Sequence, residues 1–199
     1  MNSVSSDAQS THVRRTKPDV FLLLLLVASL SLNVYLGWKA KQGGDVQQYT
    51  AKLSPGMKVD PVTAADLDGK PITIAYNDTN KPTVFYVMTP SCIWCRRNQA
   101  NVDRLADTKA NDFRFVGLSL GEDGLKEYVD EHHTKFPVYA RLKPETVQSL
   151  GLGGTPQTII VSPEGRILKV WTGAYTENVR PEVEAYFGIQ LPGLVSAGK

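Results

Sequence analysis

The feature that most constrains this chain is PTVFYVMTPSCIWCRRN, residues 82–98. A short run of β-branched and aromatic residues ends in Thr-Pro-Ser. Two cysteines separated by Ile93 and Trp94 follow, and then a segment with Val102 and Leu105 spaced for one buried helical face. A strand that hands over to a helix at a Cys-x-x-Cys leaves Cys92 at the helix N-cap or first turn and Cys95 one turn further in. Unpaired backbone N–H groups and the helix dipole favour a negative sulfur at such a position, and the thiolate is the reactive form. Arg96 and Arg97 add positive charge beside it.

Three readings of the pair compete. A structural zinc site wants four ligands. The chain has only these two cysteines, with His12 far upstream and the adjacent His132 and His133 at the end of a helical segment. A passive disulfide across so short a loop restrains little chain entropy. A redox couple, in which Cys92 exchanges with substrate and Cys95 resolves the mixed disulfide, uses both the spacing and the placement.

The rest of the domain alternates strand and helix. The sequence predicts a hairpin over 67–77 turning at Asp68-Gly69, a strand over 113–120, a helix over 122–133 and an extended run over 136–142. A short helix over 144–152, a hairpin over 157–173 around Ser162-Pro163-Glu164-Gly165 and a closing helix over 176–188 complete it. This order predicts an α/β sandwich with helices on both faces and an antiparallel edge. The domain is placed at 57–188 and a loose tail at 189–199.

A second constraint lies upstream. VFLLLLLVASLSLNVYLGW, 20–38, carries no charge over 19 residues. As a helix it reaches ~28 Å, close to the hydrocarbon core of a bilayer. It is expected to be an uncleaved membrane anchor, since it exceeds a typical signal-peptide core and no clean cleavage site follows Gly37. The small residues Ala28–Ser31 leave cleavage as the alternative. Arg14, Arg15 and Lys17 precede it, and Lys39 and Lys41 follow. The twin arginines lack the rest of an export signal. The polar segment 1–19 is expected to stay in the cytoplasm, with 39–56 as a linker. The net charge of +2, from 22 basic and 20 acidic side chains, implies no basic face and argues against nucleic acid.

With CIWC after an apolar strand, GTPQTIIVSPEGRI over 154–167 and the anchor, the sequence resembles the membrane-anchored thioredoxin-fold proteins of the TlpA/ResA type over about 57–188. The resemblance implies a thioredoxin-like α/β fold: a central mixed sheet flanked by helices, an N-terminal hairpin and a β-α insertion over 113–142. It implies a thiol–disulfide oxidoreductase of the bacterial inner membrane, with its domain facing the periplasm or cell exterior. Cys92 and Cys95 would be catalytic, and Pro156 a cis-proline facing them. Thr155, Pro156 and Trp94 would bind an extended, thiol- or disulfide-containing protein substrate, and electrons would come from a membrane partner. The resemblance favours reduction over oxidation. No cofactor is implied, and no G-x-G-x-x-G occurs.

The sequence departs from the family at two positions. Asn98 stands where many relatives have a Glu three residues after the second cysteine, and Tyr86 where thioredoxin has a buried Asp. Proton transfer to Cys95 is therefore expected to use water or another group, and a role in cytochrome c maturation is put in doubt. Two other functions fit the same fold. A peroxiredoxin-like peroxidase would want a proline at Phe85, although Thr89 fits its motif. A copper chaperone could use two soft thiolates, but relatives of that kind have three residues between the cysteines.

Overall fold

The computed structural model describes residues 20–42 and 53–196, with side chains over 20–35 and 53–196. The expected 1–19 tail, most of the linker and the last three residues lie outside the described residues. The chain divides into two units, Met1–Gln47 and Gln48–Lys199.

In the first unit, helix α1 spans Val20–Gln42. Its described side chains are exposed all round. Two polar residues interrupt the hydrocarbon, and both fold back on the helix. Ser31 Oγ donates to the Val27 carbonyl and Asn33 Nδ2 to the Ser29 carbonyl, each at 2.8 Å. Among the described residues no helix is long and apolar enough to cross a membrane.

In the second unit the centre is strand β3, Thr83–Met88, buried at every position. A strand apolar on both faces needs cover on both. Around it lies a five-stranded sheet of order β5-β4-β3-β6-β7, with β4 at Arg114–Ser119, β5 at Val138–Tyr139, β6 at Gln157–Val161 and β7 at Ile167–Thr172. The pairs β3–β4 and β4–β5 are parallel, and β3–β6 and β6–β7 antiparallel. On one face Val84, Tyr86 and Met88 pack with helices α2 (Ile93–Lys109), α3 (Leu125–His132) and α5 (Arg180–Phe187) through Val102, Leu105, Tyr128, Val183 and Phe187. On the other, Phe85 and Val87 meet a separate hairpin of β1 (Val62–Ala65) and β2 (Pro71–Ile74), together with Val147 of α4 (Pro144–Ser149). Burial of a side chain such as Phe85 contributes about 1.5–3 kcal/mol. The expected thioredoxin-like sandwich is thus present.

Several boundaries differ from expectation. The first hairpin strand is Val62–Ala65, upstream of the expected 67–77, and the turn is closed by Asp66, whose Oδ1 accepts the Asp68 and Lys70 amides at 3.0 and 2.8 Å. The strand expected over 136–142 shrinks to Val138–Tyr139 in the sheet, with Ala140 bridging Ala65 instead; Pro137 lacks an N–H and Arg141 has φ 51°. The closing helix starts at Arg180 with Pro181 in its first turn, since 176–179 form a turn.

Residues 189–196, expected as a loose tail, instead return to α2 as a strap. Leu191 is buried, its N–H donates to Glu184 Oε1 at 2.8 Å, and Gly193 N–H donates to Asn101 Oδ1 at 2.8 Å. Satisfying the buried Asn101 is the physical reason for the return.

Candidate active site

Cys92 is the N-cap of α2, with φ −75° and ψ 106°. Its carbonyl accepts the Cys95 and Arg96 amides at 3.1 and 3.2 Å, starting the helix. Its Sγ accepts the Cys95 N–H at 3.0 Å. The first turn of α2 carries no acidic residue to oppose a thiolate. Cys92 is half-buried, whereas Cys95 is 0% exposed. The two are joined as a disulfide with Cα atoms 5.2 Å apart. One sulfur can therefore meet a partner chain, and the other can meet only its neighbour.

The Thr155–Pro156 peptide is cis. Antiparallel pairing of β6 with β3 sets Gln157 opposite Val87, which brings Pro156 to the end of β3 that leads into Cys92. The Pro156 carbonyl accepts the Gly173 N–H at 2.8 Å. Pro156 is buried and Thr155 half-buried. Among the described residues no backbone partner is recorded for the Thr155 N–H or carbonyl. Cys92, Cys95 and Pro156 thus share one end of the sheet, with Thr155 beside them.

Trp94 is 45% exposed, and the Arg97 guanidinium lies 4.5 Å from its ring centroid. The two form one wall of a cleft of about 560 Å³, completed by 175–178, Arg180 and 192–194.

Beneath the disulfide lies a polar network that sequence reasoning did not assemble. Asn98 and Asn101 are fully buried. Asn98 Oδ1 accepts the Tyr175 N–H at 3.1 Å and Asn101 Nδ2 at 3.0 Å, and Asn98 Nδ2 faces the Tyr86 hydroxyl at 3.5 Å. Burial pushes the Tyr86 phenol far above its ordinary range, so it stays protonated. The Tyr175 hydroxyl shares a proton position with Thr158 Oγ1 at 2.7 Å. The available signal was the i, i+3 spacing of Cys95, Asn98 and Asn101, which continues the Val102–Leu105 face inward.

His132, at the end of α3, stacks on Tyr128 at 4.1 Å, and its Nδ1 lies 3.0 Å from the Tyr128 carbonyl. Among the described residues no group of three or more His, Cys, Asp or Glu side chains is arranged to hold a metal ion.

A sheet that presents Cys-x-x-Cys at a helix start, beside a cis-proline, defines an oxidoreductase of the thioredoxin fold. The chain belongs to the Redoxin family, whose model matches residues 54–186. It is 21% identical over 186 residues to the thiol-disulfide oxidoreductase ResA of Bacillus subtilis, covering 88% of this chain and 93% of that one. Its fold is similar to the thioredoxin domain of a thiol-disulfide oxidoreductase from Bacteroides vulgatus, with TM-score 0.55 and 22% identity over 68% of this chain and 99% of that one. It is also similar to a thiol:disulfide interchange protein from Bacteroides sp., with TM-score 0.55 and 21% identity over 68% and 91% of the two chains.

Proposed function

We propose that this protein exchanges disulfides with protein substrates, in the reducing direction, from a membrane anchor. The observation that carries the reading is the asymmetry of the pair: Cys92 is half-buried and its Sγ accepts a helix-start amide, and Cys95 is sealed behind it.

In the reduced protein, Cys92 thiolate attacks one sulfur of a substrate disulfide. The substrate S–S bond breaks, a Cys92–substrate disulfide forms, and one substrate thiolate leaves and takes a proton. Cys95 gives up its proton and attacks Cys92 Sγ. This closes Cys92–Cys95 and releases the second substrate thiolate. Two electrons pass to the substrate, and the pair ends oxidised. A dithiol donor protein at the membrane would restore it by the same two steps in reverse. The unpartnered Thr155 backbone beside the pair supports pairing with an extended substrate segment.

The anchor reading rests on the uncharged run 20–38. A run of that length without charge favours a lipid environment over water. With the family resemblance, it supports a reading in which the protein sits in the bacterial inner membrane with its catalytic domain on the periplasmic or outer side. Detergent-free fractionation should leave the full chain with membranes, and a chain lacking 1–38 should be released.

The redox reading is tested by trapping. Cys95→Ser should accumulate a mixed disulfide between Cys92 and substrate, and Cys92→Ser should form none and should not reduce insulin. Equal trapping by both variants would remove the assigned order. Peroxide consumption faster than disulfide reduction would favour the peroxidase instead.

A further inference from the structure

We propose that the cleft beside Trp94 is a subsite for an acidic residue flanking the reacting cysteine of the substrate. This deepens the exchange reading above and rests on it. The cleft begins two residues from Cys92 and has about 560 Å³ of space, room for several side chains of a bound segment but not for a folded domain.

Two guanidinium groups line it, and both are held in place. Arg97 Nε donates to the Val195 carbonyl at 3.1 Å, the Arg97 carbonyl accepts the Val195 N–H at 3.0 Å, and its guanidinium is stacked on Trp94. The strap and the indole thus fix its plane, and among the described residues its terminal nitrogens have no hydrogen-bond partner. Arg180 is set against the strap. A Cβ on Gly193 would stand 2.8 Å from Arg180 Nη1, and Gly193 also has φ 92°, so glycine both permits the turn and leaves room for the guanidinium. Arg180 Nε is buried without a hydrogen-bond partner. Glu184 Oε1 forms an ion pair with that nitrogen at 3.8 Å and also accepts the Leu191 N–H at 2.8 Å, so the outer Nη groups of Arg180 are the ones that face the cleft's substrate.

The only carboxylate among the cleft-lining residues is Glu177, which is exposed. Arg97, whose terminal nitrogens have no hydrogen-bond partner among the described residues, and the outer edge of Arg180, which is ion-paired through Nε with Glu184, favour an incoming carboxylate, which a guanidinium can bind through paired N–H groups. Trp94 offers a face to the substrate backbone on the way to Cys92. The strap positions this selectivity because it clamps Arg97 and packs against Arg180.

The test uses the reduced full chain in detergent micelles. Its substrates are peptides carrying one cysteine as a mixed disulfide with 2-mercaptoethanol, with Asp, Asn or Lys placed in turn at each neighbouring position. At one position or more, the Asp peptide should react about three- to tenfold faster than the Asn peptide, and the Lys peptide slower than both. The preference should shrink between about 0.05 M and about 0.5 M salt. The ratio of Asp to Asn rates is the readout, because a change in Cys92 acidity moves both rates together. Arg180→Gln and Arg97→Gln should bring the ratio towards one, and Glu177→Gln should raise it.

Equal rates for all peptides in the wild type, or a ratio unmoved by all three substitutions, would overturn the subsite and leave disulfide exchange standing. Glutathione disulfide reacting as fast as the Asp peptides would assign the cleft to small carboxylate-bearing disulfides and overturn the peptide proposal. No reaction with any peptide would overturn the exchange reading and this proposal together.

Discussion

Asn98 Nδ2 stands 3.5 Å from the Tyr86 hydroxyl, with both side chains buried, Asn98 one turn after Cys95 on α2 and Tyr86 on β3. These are the two positions at which the sequence departs from the acids of the proteins it resembles. An amide and a phenol occupy both, and they occupy them as neighbours. The substitution is therefore coordinated in space, although the residues are far apart in function from the acids they replace. Neither group ionises in the range where thiols exchange.

Cys95 accordingly loses its proton without a buried carboxylate at these positions, and the wild-type rate of disulfide reduction should rise with pH along a single thiolate curve. Asn98→Glu should place a carboxyl in a fully buried site, where desolvation raises its pKa. It should add a second inflection below the thiolate one. Stopped-flow measurement across pH 5–9 or so checks this. Superimposable profiles for the two proteins would deny position 98 any part in the proton path.

Asn98→Ala should weaken the fold more than the chemistry. It leaves the Tyr175 N–H and Asn101 Nδ2 without their common acceptor. Each buried donor left unpaired costs about 1–3 kcal/mol. Urea unfolding should register that loss, whereas the trapping assay with the Cys95→Ser background should still yield the mixed disulfide.

Buried phenols should make the domain sensitive to alkali. Burial pushes Tyr128 up to about 12, with the charge of Asp103 acting in the same direction. Tyr86 and Tyr175 are displaced the same way by burial. For such a group the folded state holds its proton more tightly than the unfolded state does. Its contribution is complete below the ordinary phenol value of about 10 and is lost as pH rises from there through the folded value. Stability should be flat on this account through neutral pH and fall from about pH 10 upward. Absorbance of tyrosinate at 295 nm should rise together with loss of circular dichroism. Full ionisation with an intact fold would refute it.

The parts of the fold that were legible are local. β3 and the start of α2 follow from residues adjacent in sequence. So does the β6–β7 hairpin, where Gly165 adopts φ 74° and its N–H donates to the Ser162 carbonyl at 2.9 Å. Strand β1 was missed because Val-Thr-Ala-Ala carries little strand signal of its own; pairing with β2 and the Ala65–Ala140 bridge create it. The pairing of Cys92 with Cys95 was legible from their spacing, and the cis Thr155–Pro156 bond from the family resemblance. The Asn98–Tyr175 and Asn101–Gly193 contacts were not, because their partners lie 77 and 92 residues away and neither asparagine has a periodicity that names a partner.

The strap gives the last prediction, since its residues look dispensable in sequence. Leu191 is buried against the cluster that includes Val183 and Phe187 of α5, and two backbone amides of the strap satisfy Glu184 and Asn101. Leu191→Ala removes apolar contacts at the rim of the core, where partial collapse is possible, and should cost about 2–3 kcal/mol, the low end for such truncations. Ending the chain at Ile189 should cost more, because it removes the whole Leu191 side chain together with the Gly193–Asn101 bond and both bonds between Arg97 and Val195. Urea midpoints of the two proteins, with unchanged slopes, would establish the order. If the shortened chain were as stable as the full one, residues 190–196 would be a passive covering and α2 would owe them nothing.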